Sequence, residues 1–284
     1  MISIDEHSDV LYIRIGEKQF LFACYDSAHP KTLQYASFPI NPDISVNANM
    51  HRALDLVPLC KTVVGEVYVS VEGDFTPQPL EEFEEEDMDT IYFFNNPDQQ
   101  ERKRVHYEVL PHSNIVLLYT VDKDLEHTLR ESFAKISFHC AELSPLLFSM
   151  RIGGATPFAS PTNEGSTNYI VAYATTTRLT VACFRQSALS LLNTFKVSQP
   201  ADAAYCLVAM AKEWPMNPQC DDLYLVGDEQ ICLDIQKQLS GYFPLVKYHE
   251  ASALLDKKIQ PLQGVMPFDF LCLLFGERMK SNAL

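Results

Sequence analysis

Short apolar runs alternate with turn residues along the first part of the chain. VLYIRI and QFLFACY are rich in β-branched and aromatic side chains and are separated by a Gly-Glu-Lys turn, so they predict two strands joined as a hairpin. LQYASF, beyond a break at His29-Pro30, predicts a third strand. The periodicity then changes. Ile44, Met50, Leu54 and Val57 fall close to helical spacing, and VVGEVYVSV returns to a mostly apolar run that predicts a strand. The same order recurs from Asn168. NYIVAYA, a turn at Thr175 to Thr177, RLTVACF and LSLLNTFKV predict three strands, and Ser198-Gln199-Pro200 is a helix-start signal. Ala203, Leu207, Met210, Ala211 and Trp214 share one helical face, and DLYLV predicts the strand that follows. The two series keep a nearly constant interval although their residues barely match, so element order and spacing carry the duplication.

Later elements agree. Asn114 to Val121 predicts a strand in the first half, and the segment from Asp122 sets Leu125, Leu129 and Phe133 on one helical face. In the second half Asp228 begins a helix carrying Ile231, Ile235 and Leu239, with Gly241 as its C-terminal stop. Between the halves RIGGATPFASPTNEGST is rich in Gly, Pro, Ser and Thr, which divides a lobe at 1–152 from a lobe at 168–284, with 153–167 as linker. A mixed sheet opened by three antiparallel strands, extended through helices and then duplicated, is an α/β arrangement of two lobes with a cleft between them.

Composition narrows the function. With 37 acidic against 22 basic residues the chain carries a formal charge of −15, which repels a phosphate backbone and argues against nucleic acid as partner. The basic cluster Arg102-Lys103-Arg104 reads as solvated surface. The first residues lack a basic, apolar leader, and no apolar run approaches the roughly 20 residues of a membrane span, so a cytoplasmic protein is expected. The eight cysteines are scattered, with no Cys-x-x-Cys pair, and read as buried free thiols rather than zinc ligands. Glu81 to Asp89 is an acidic run that reads as a hydrated, partly helical surface, with Phe83 and Met88 as a hint of docking. No nucleophile elbow, papain-like cysteine, Ser-x-x-Lys, Walker A loop or Gly-x-Gly-x-x-Gly fingerprint occurs, the histidines are dispersed, and Gly153-Gly154 stands without a motif around it.

Four stretches carry a resemblance: IRIGEK at Ile13 to Lys18, VAYATTT at Val171 to Thr177, LYLVGDEQ at Leu223 to Gln230, and PFDFLCLLFGE at Pro267 to Glu277. In their order and spacing the chain resembles the actin-like ATPase fold, built on ribonuclease H-like lobes and shared by actin, sugar kinases and heat-shock chaperones. It looks most like the bacterial cell-division and type IV pilus assembly branch, and is similar to an uncharacterised bacterial family assigned this fold. The resemblance implies that the first two stretches are phosphate hairpins, the third the adenosine-side turn and the fourth a closing helix. It places Arg14, Gly16, Lys18, Thr175, Thr176, Thr177, Gly227 and Asp228 at vestigial nucleotide-site positions. Such ATPases hold magnesium through a carboxylate in each hairpin. Here Arg14 stands at the first, Ala172, Tyr173 and Ala174 precede the threonines of the second, and Gly227 is followed by Asp228 where paired glycines belong. The implied reading is a degenerate ATPase without catalytic residues or cofactor, acting on a protein partner as a binding or scaffolding module. The alternative is an ATP- or ADP-binding switch, ATPase or kinase with a non-standard magnesium site, served by Arg14, Lys18 and the threonine hydroxyls and by a carboxylate such as Asp26 or Asp228.

Overall fold

The computed structural model describes residues 10–25, 33–61, 65–97, 101–110, 113–152, 168–185, 188–214, 222–244, 246–248 and 266–276. The break at His29-Pro30, Asp26, Gly153-Gly154, the linker 153–167, Cys220 and Glu277 lie outside them. The chain divides into two compact units, Met1–Val109 with Val116–Ala141 and Leu110–Ile115 with Glu142–Leu284.

The first unit runs β1 (Val10–Ile15), β2 (Gln19–Tyr25), β3 (Gln34–Pro39), α1 (Val46–Leu56), β4 (Glu66–Val71), β5 (Phe75–Pro79), α2 (Met88–Asn95), β6 (Lys103–Leu110), β7 (Ile115–Asp122), α3 (Lys123–Ser132) and β8 (Ile136–Cys140). Its main sheet has the order β3-β2-β1-β4-β8, and β5-β7-β6 form a smaller one. β1 is antiparallel to β2 and parallel to β4, β2 is antiparallel to β3, and β4 is parallel to β8. β1 lies at the centre of that sheet, with Leu11, Ile13 and Ile15 buried on one face and Tyr12 and Arg14 on the other, as a strand covered on both faces requires. Ser45 caps α1 by accepting the Ala48 N–H at 3.1 Å. The buried face of α1 is Asn49, Met50 and Ala53. Ile44 instead precedes the helix and is exposed, because Asn49 turns inward and its amide group binds the carbonyls of Asn41, Ile44 and Ser45.

The second unit runs α4 (Leu143–Ile152), β9 (Tyr169–Ala174), β10 (Arg178–Arg185), β11 (Ala188–Lys196), α5 (Pro200–Glu213), β12 (Asp222–Gly227), α6 (Glu229–Leu239), β13 (Val246–Tyr248) and α7 (Phe268–Gly276). Its sheet has the order β11-β10-β9-β12-β13, with β9 antiparallel to β10 and parallel to β12, β10 antiparallel to β11, and β12 parallel to β13. Strand for strand this is the topology of the first main sheet. The fold is therefore α/β and duplicated, each unit carrying a mixed sheet of three antiparallel strands extended by two parallel ones, in the ribonuclease H-like manner. Pro200 at the first turn of α5 suits a position whose N–H has no intrahelical partner, and Ala203, Leu207 and Ala211 pack into the unit's core with Leu223, Leu225, Ile235 and Leu239. Gly241 does not stop α6 in a left-handed conformation: the helix ends at Ser240, which stays right-handed and returns its hydroxyl to the Lys237 carbonyl at 2.9 Å.

Candidate functional site

The β1–β2 turn brings Arg14, Gly16 and Lys18 to one end of the first sheet. Gly16 N–H donates to the Gln19 carbonyl at 3.2 Å, and the Ile40 N–H to the Lys18 carbonyl at 2.9 Å. Parallel pairing of Ile15 with Val71 delivers Glu72 to the same end, where its N–H donates to the Ile15 carbonyl at 2.9 Å. Glu72 Oε2 then meets Arg14 Nη2 at 3.2 Å, with both side chains largely buried (8% and 14% exposed), and also accepts the Glu17 N–H at 3.2 Å. The pair closes over Gly16. A methyl group there would come within 2.4 Å of Arg14 Nη1 and 3.1 Å of Glu72 Oε2. Lys18 remains exposed at the tip.

The second unit repeats this end in detail. Thr175 N–H donates to the Arg178 carbonyl at 2.9 Å, Val197 N–H to the Thr177 carbonyl at 3.0 Å, and Asp228 N–H to the Ala174 carbonyl at 3.1 Å. Each bond has its counterpart at Gly16, Ile40 and Glu72. β9–β12 pairing sets Ala174 opposite Gly227, so Thr175, Thr176, Thr177, Gly227 and Asp228 share one end of the second sheet. The Thr175 hydroxyl closes its own turn, accepting the Arg178 N–H at 3.1 Å. Gly227 has φ +123°, and a Cβ on it would fall 2.2 Å from the Ala174 carbonyl oxygen, so only glycine fits between the two backbones. The Asp228 side chain caps α6, accepting the Ile231 N–H at 3.2 Å.

Other polar groups escaped the sequence reading. Glu126 on α3 is buried among Arg130 Nε at 2.8 Å, His106 Nε2 at 3.2 Å and Arg104 Nη1 at 3.4 Å. Burial pushes its pKa up, but the hydrogen bonds and charges of Arg130, His106 and Arg104 outweigh it and hold the carboxyl below its ordinary range. Burial also holds His106 below the usual imidazole value. Arg104, read as part of a solvated cluster, is one of the three partners, with its side chain 59% exposed. Glu142 is buried in the second unit and accepts the Thr180 hydroxyl at 3.0 Å. On β8 and β6, Ser137, His139 and Glu108 form a hydrogen-bonded chain. In the acidic run the hint of docking does not hold for Phe83 and Met88, which pack with Ile91 against a core of Tyr92, Phe93, Val105, Val116 and Leu118. The carboxylates around them face solvent.

Among the described residues no three His, Cys, Asp or Glu side chains gather closely enough to hold a metal ion, and no helix is long and apolar enough to cross a membrane. No curated protein matches the chain. Many solved structures are similar to it, among them the following two. A Bacteroides thetaiotaomicron protein described as having an actin-like ATPase fold and unknown function aligns at 22% identity over 92% of this chain and 98% of its own, with a TM-score of 0.74. The PilM-PilN type IV pilus biogenesis complex supplies a chain that aligns at 12% identity over 94% of this chain and 97% of its own, with a TM-score of 0.50. The two ribonuclease H-like units thus make an actin-like ATPase fold. The chain belongs to the family described as Protein of unknown function (DUF3822), whose model matches residues 2–246.

Proposed function

We propose that this chain is a non-hydrolysing member of the actin-like fold that works by binding a protein partner. The observation that carries the reading is the Arg14–Glu72 pair over Gly16. A phosphate hairpin serves ATP hydrolysis by offering backbone N–H groups to the phosphates and a carboxylate to magnesium. In the first turn Gly16 N–H is committed to Gln19, Glu17 N–H is held by Glu72, and the Glu72 carboxylate delivered by β4 is neutralised by a largely buried guanidinium. In the second, the Thr175 hydroxyl is spent on its own turn and the Asp228 carboxylate on a helix terminus. The residues present do not fit a magnesium nucleotide, and without the cation the electrostatic stabilisation that dominates phosphoryl transfer is missing. A protein partner is supported by PilM, which shares the fold and is found in complex with PilN. The net charge of −15 disfavours nucleic acid in that role.

Calorimetric titration of the purified chain with ATP and ADP, with and without magnesium, tests the reading. No heat is expected up to millimolar nucleotide, either for the native chain or for Arg14→Ala. Micromolar binding that Arg14→Ala abolishes would make Arg14 a phosphate ligand and replace the proposal with a nucleotide switch.

A further inference from the structure

The first unit holds an ordered nucleophile remote in sequence from both hairpins. Ser137 and His139 stand two residues apart on β8, so their side chains leave the same face of the strand. Ser137 Oγ lies 2.8 Å from His139 Nε2, and His139 Nδ1 lies 2.6 Å from Glu108 Oε1 on β6. An ionised carboxylate only accepts, so Nδ1 carries the imidazole proton and Nε2 is left to accept from the Ser137 hydroxyl. Neither partner is loosely held. The second oxygen of Glu108 accepts the Cys140 N–H at 2.8 Å, and the Tyr68 ring stacks on the imidazole at 5.7 Å between centroids with 20° between planes. Ser137 and His139 open onto a pocket of about 640 Å³ whose wall also includes Glu66, Tyr68, Phe133, Arg130 and Lys135. That volume falls in the range of small-molecule sites.

We infer that Ser137, His139 and Glu108 form a nucleophilic serine site for acyl transfer from a small carboxylic ester. Nucleophile, base and orienting carboxylate stand in the relation that activates a serine, and such sites are recognised by geometry rather than by sequence order. Ser137 Oγ bonds to the acyl carbon while its proton passes to His139 Nε2. The ester C–O bond breaks, and the leaving alcohol takes that proton. Water, deprotonated by the same nitrogen, then releases the acid and restores the serine. Lys135 and Glu66 place opposite charges on the wall and Arg130 is engaged by Glu126, so no net charge selects the substrate, and Phe133 and Tyr68 offer apolar surface to its acyl group. The site shares no residue with the two turns, so it stands or falls independently of the loss of ATP chemistry.

The test treats the full chain with an alkyl fluorophosphonate, maps the adduct by peptide mass spectrometry, and follows hydrolysis of p-nitrophenyl butyrate. One adduct on Ser137 is expected, with steady release of nitrophenolate. Ser137→Ala should remove both, and His139→Gln and Glu108→Gln should each slow them by about 100-fold, with folding of every variant checked by circular dichroism. The native chain decides the first point without any variant: no adduct, or an adduct elsewhere, overturns the proposal. So does labelling of Ser137 that proceeds equally fast in a folded His139→Gln or Glu108→Gln protein.

Discussion

Two glycines at equivalent sheet ends face different neighbours, and the difference predicts different costs. At Gly227 an added methyl would meet backbone, 2.2 Å from the Ala174 carbonyl oxygen, at a φ of +123° that side chains rarely adopt. Neither strand can yield without breaking the parallel pairing of β9 and β12. Gly227→Ala is expected to lower stability by about 3 kcal/mol, read as a shift of the denaturation midpoint. At Gly16 the nearest atom is Arg14 Nη1, the end of a flexible side chain, and φ is not in the left-handed region. Gly16→Ala should therefore displace the Arg14 guanidinium from Glu72 and cost clearly less than the Gly227 change. Equal losses at the two sites would mean that Arg14 is held as rigidly as backbone. The glycine in LYLVGDEQ was visible in the sequence as a marked position, but its reason was not. What forbids a side chain there is the approach of β9, and a contact made across more than fifty residues of chain leaves no local signature.

Among the elements, those with strong periodicity were legible. The strands β1, β2, β9, β10 and β12 are nearly continuous apolar runs because each is covered on both faces, and α3, α5 and α6 show their inner faces at helical spacing. Between β4 and α3, β7 was legible as the apolar run from Asn114 to Val121, but β5 and β6 were not. β5 has the sequence FTPQP, whose prolines argue against a strand, and β6, KRVHYEVL, carries charge on alternate positions. On β6 those polar positions are the site: His106 reaches Glu126 and Glu108 reaches His139, so the pattern that hid the strand came from the residues that make its contacts. The Ser137-x-His139 alternation on β8 was the available signal for the serine site, but Glu108 lies 31 residues before His139 in the sequence and only the fold joins them. Asp228 is a related case at a helix terminus. Its position in LYLVGDEQ suited either a metal ligand or a cap, and the bond to Ile231 N–H assigns it the cap. Asp228→Asn keeps an accepting oxygen and should leave the denaturation midpoint nearly unchanged, whereas Asp228→Ala should cost about 1 kcal/mol. If the asparagine variant lost as much as the alanine one, the negative charge itself would be needed at that end of the sheet and the capping account would fail.

For the molecule as a whole, the two ribonuclease H-like units have diverged most at the step after the second parallel-strand turn. In the second unit β12 leads directly into α6, but in the first, β4 and α3 are separated by β5, α2, β6 and β7. The added sheet is anchored to the common core by burying Glu126 of α3 against Arg104 and His106 of β6, a contact between ionisable groups that makes stability depend on pH. The sign is the same for both groups. His106 has a folded pKa held down by burial, so on acidification the unfolded chain takes up its proton first, and stability begins to fall as the pH drops through about 6.5. Glu126 is held below its ordinary range despite burial, because Arg130, His106 and Arg104 favour its charge. Its contribution is complete above the ordinary carboxylate value near 4.5 and is lost as the pH falls through the lower folded value. Urea unfolding at a series of pH values should therefore show stability declining in two stages, one beginning near the imidazole range and one near the carboxylate range. His106→Gln should remove the first stage and leave the second. Glu126→Gln should remove the second and, by removing the charge and one of the two accepting oxygens that face Arg130, His106 and Arg104, lower stability at neutral pH by about 2 kcal/mol. Midpoints that rise from pH 7 down to pH 5 would show that His106 is held protonated in the folded chain and that an ion pair holds the inserted sheet, and flat midpoints would show that folding leaves its titration unchanged; either overturns the account.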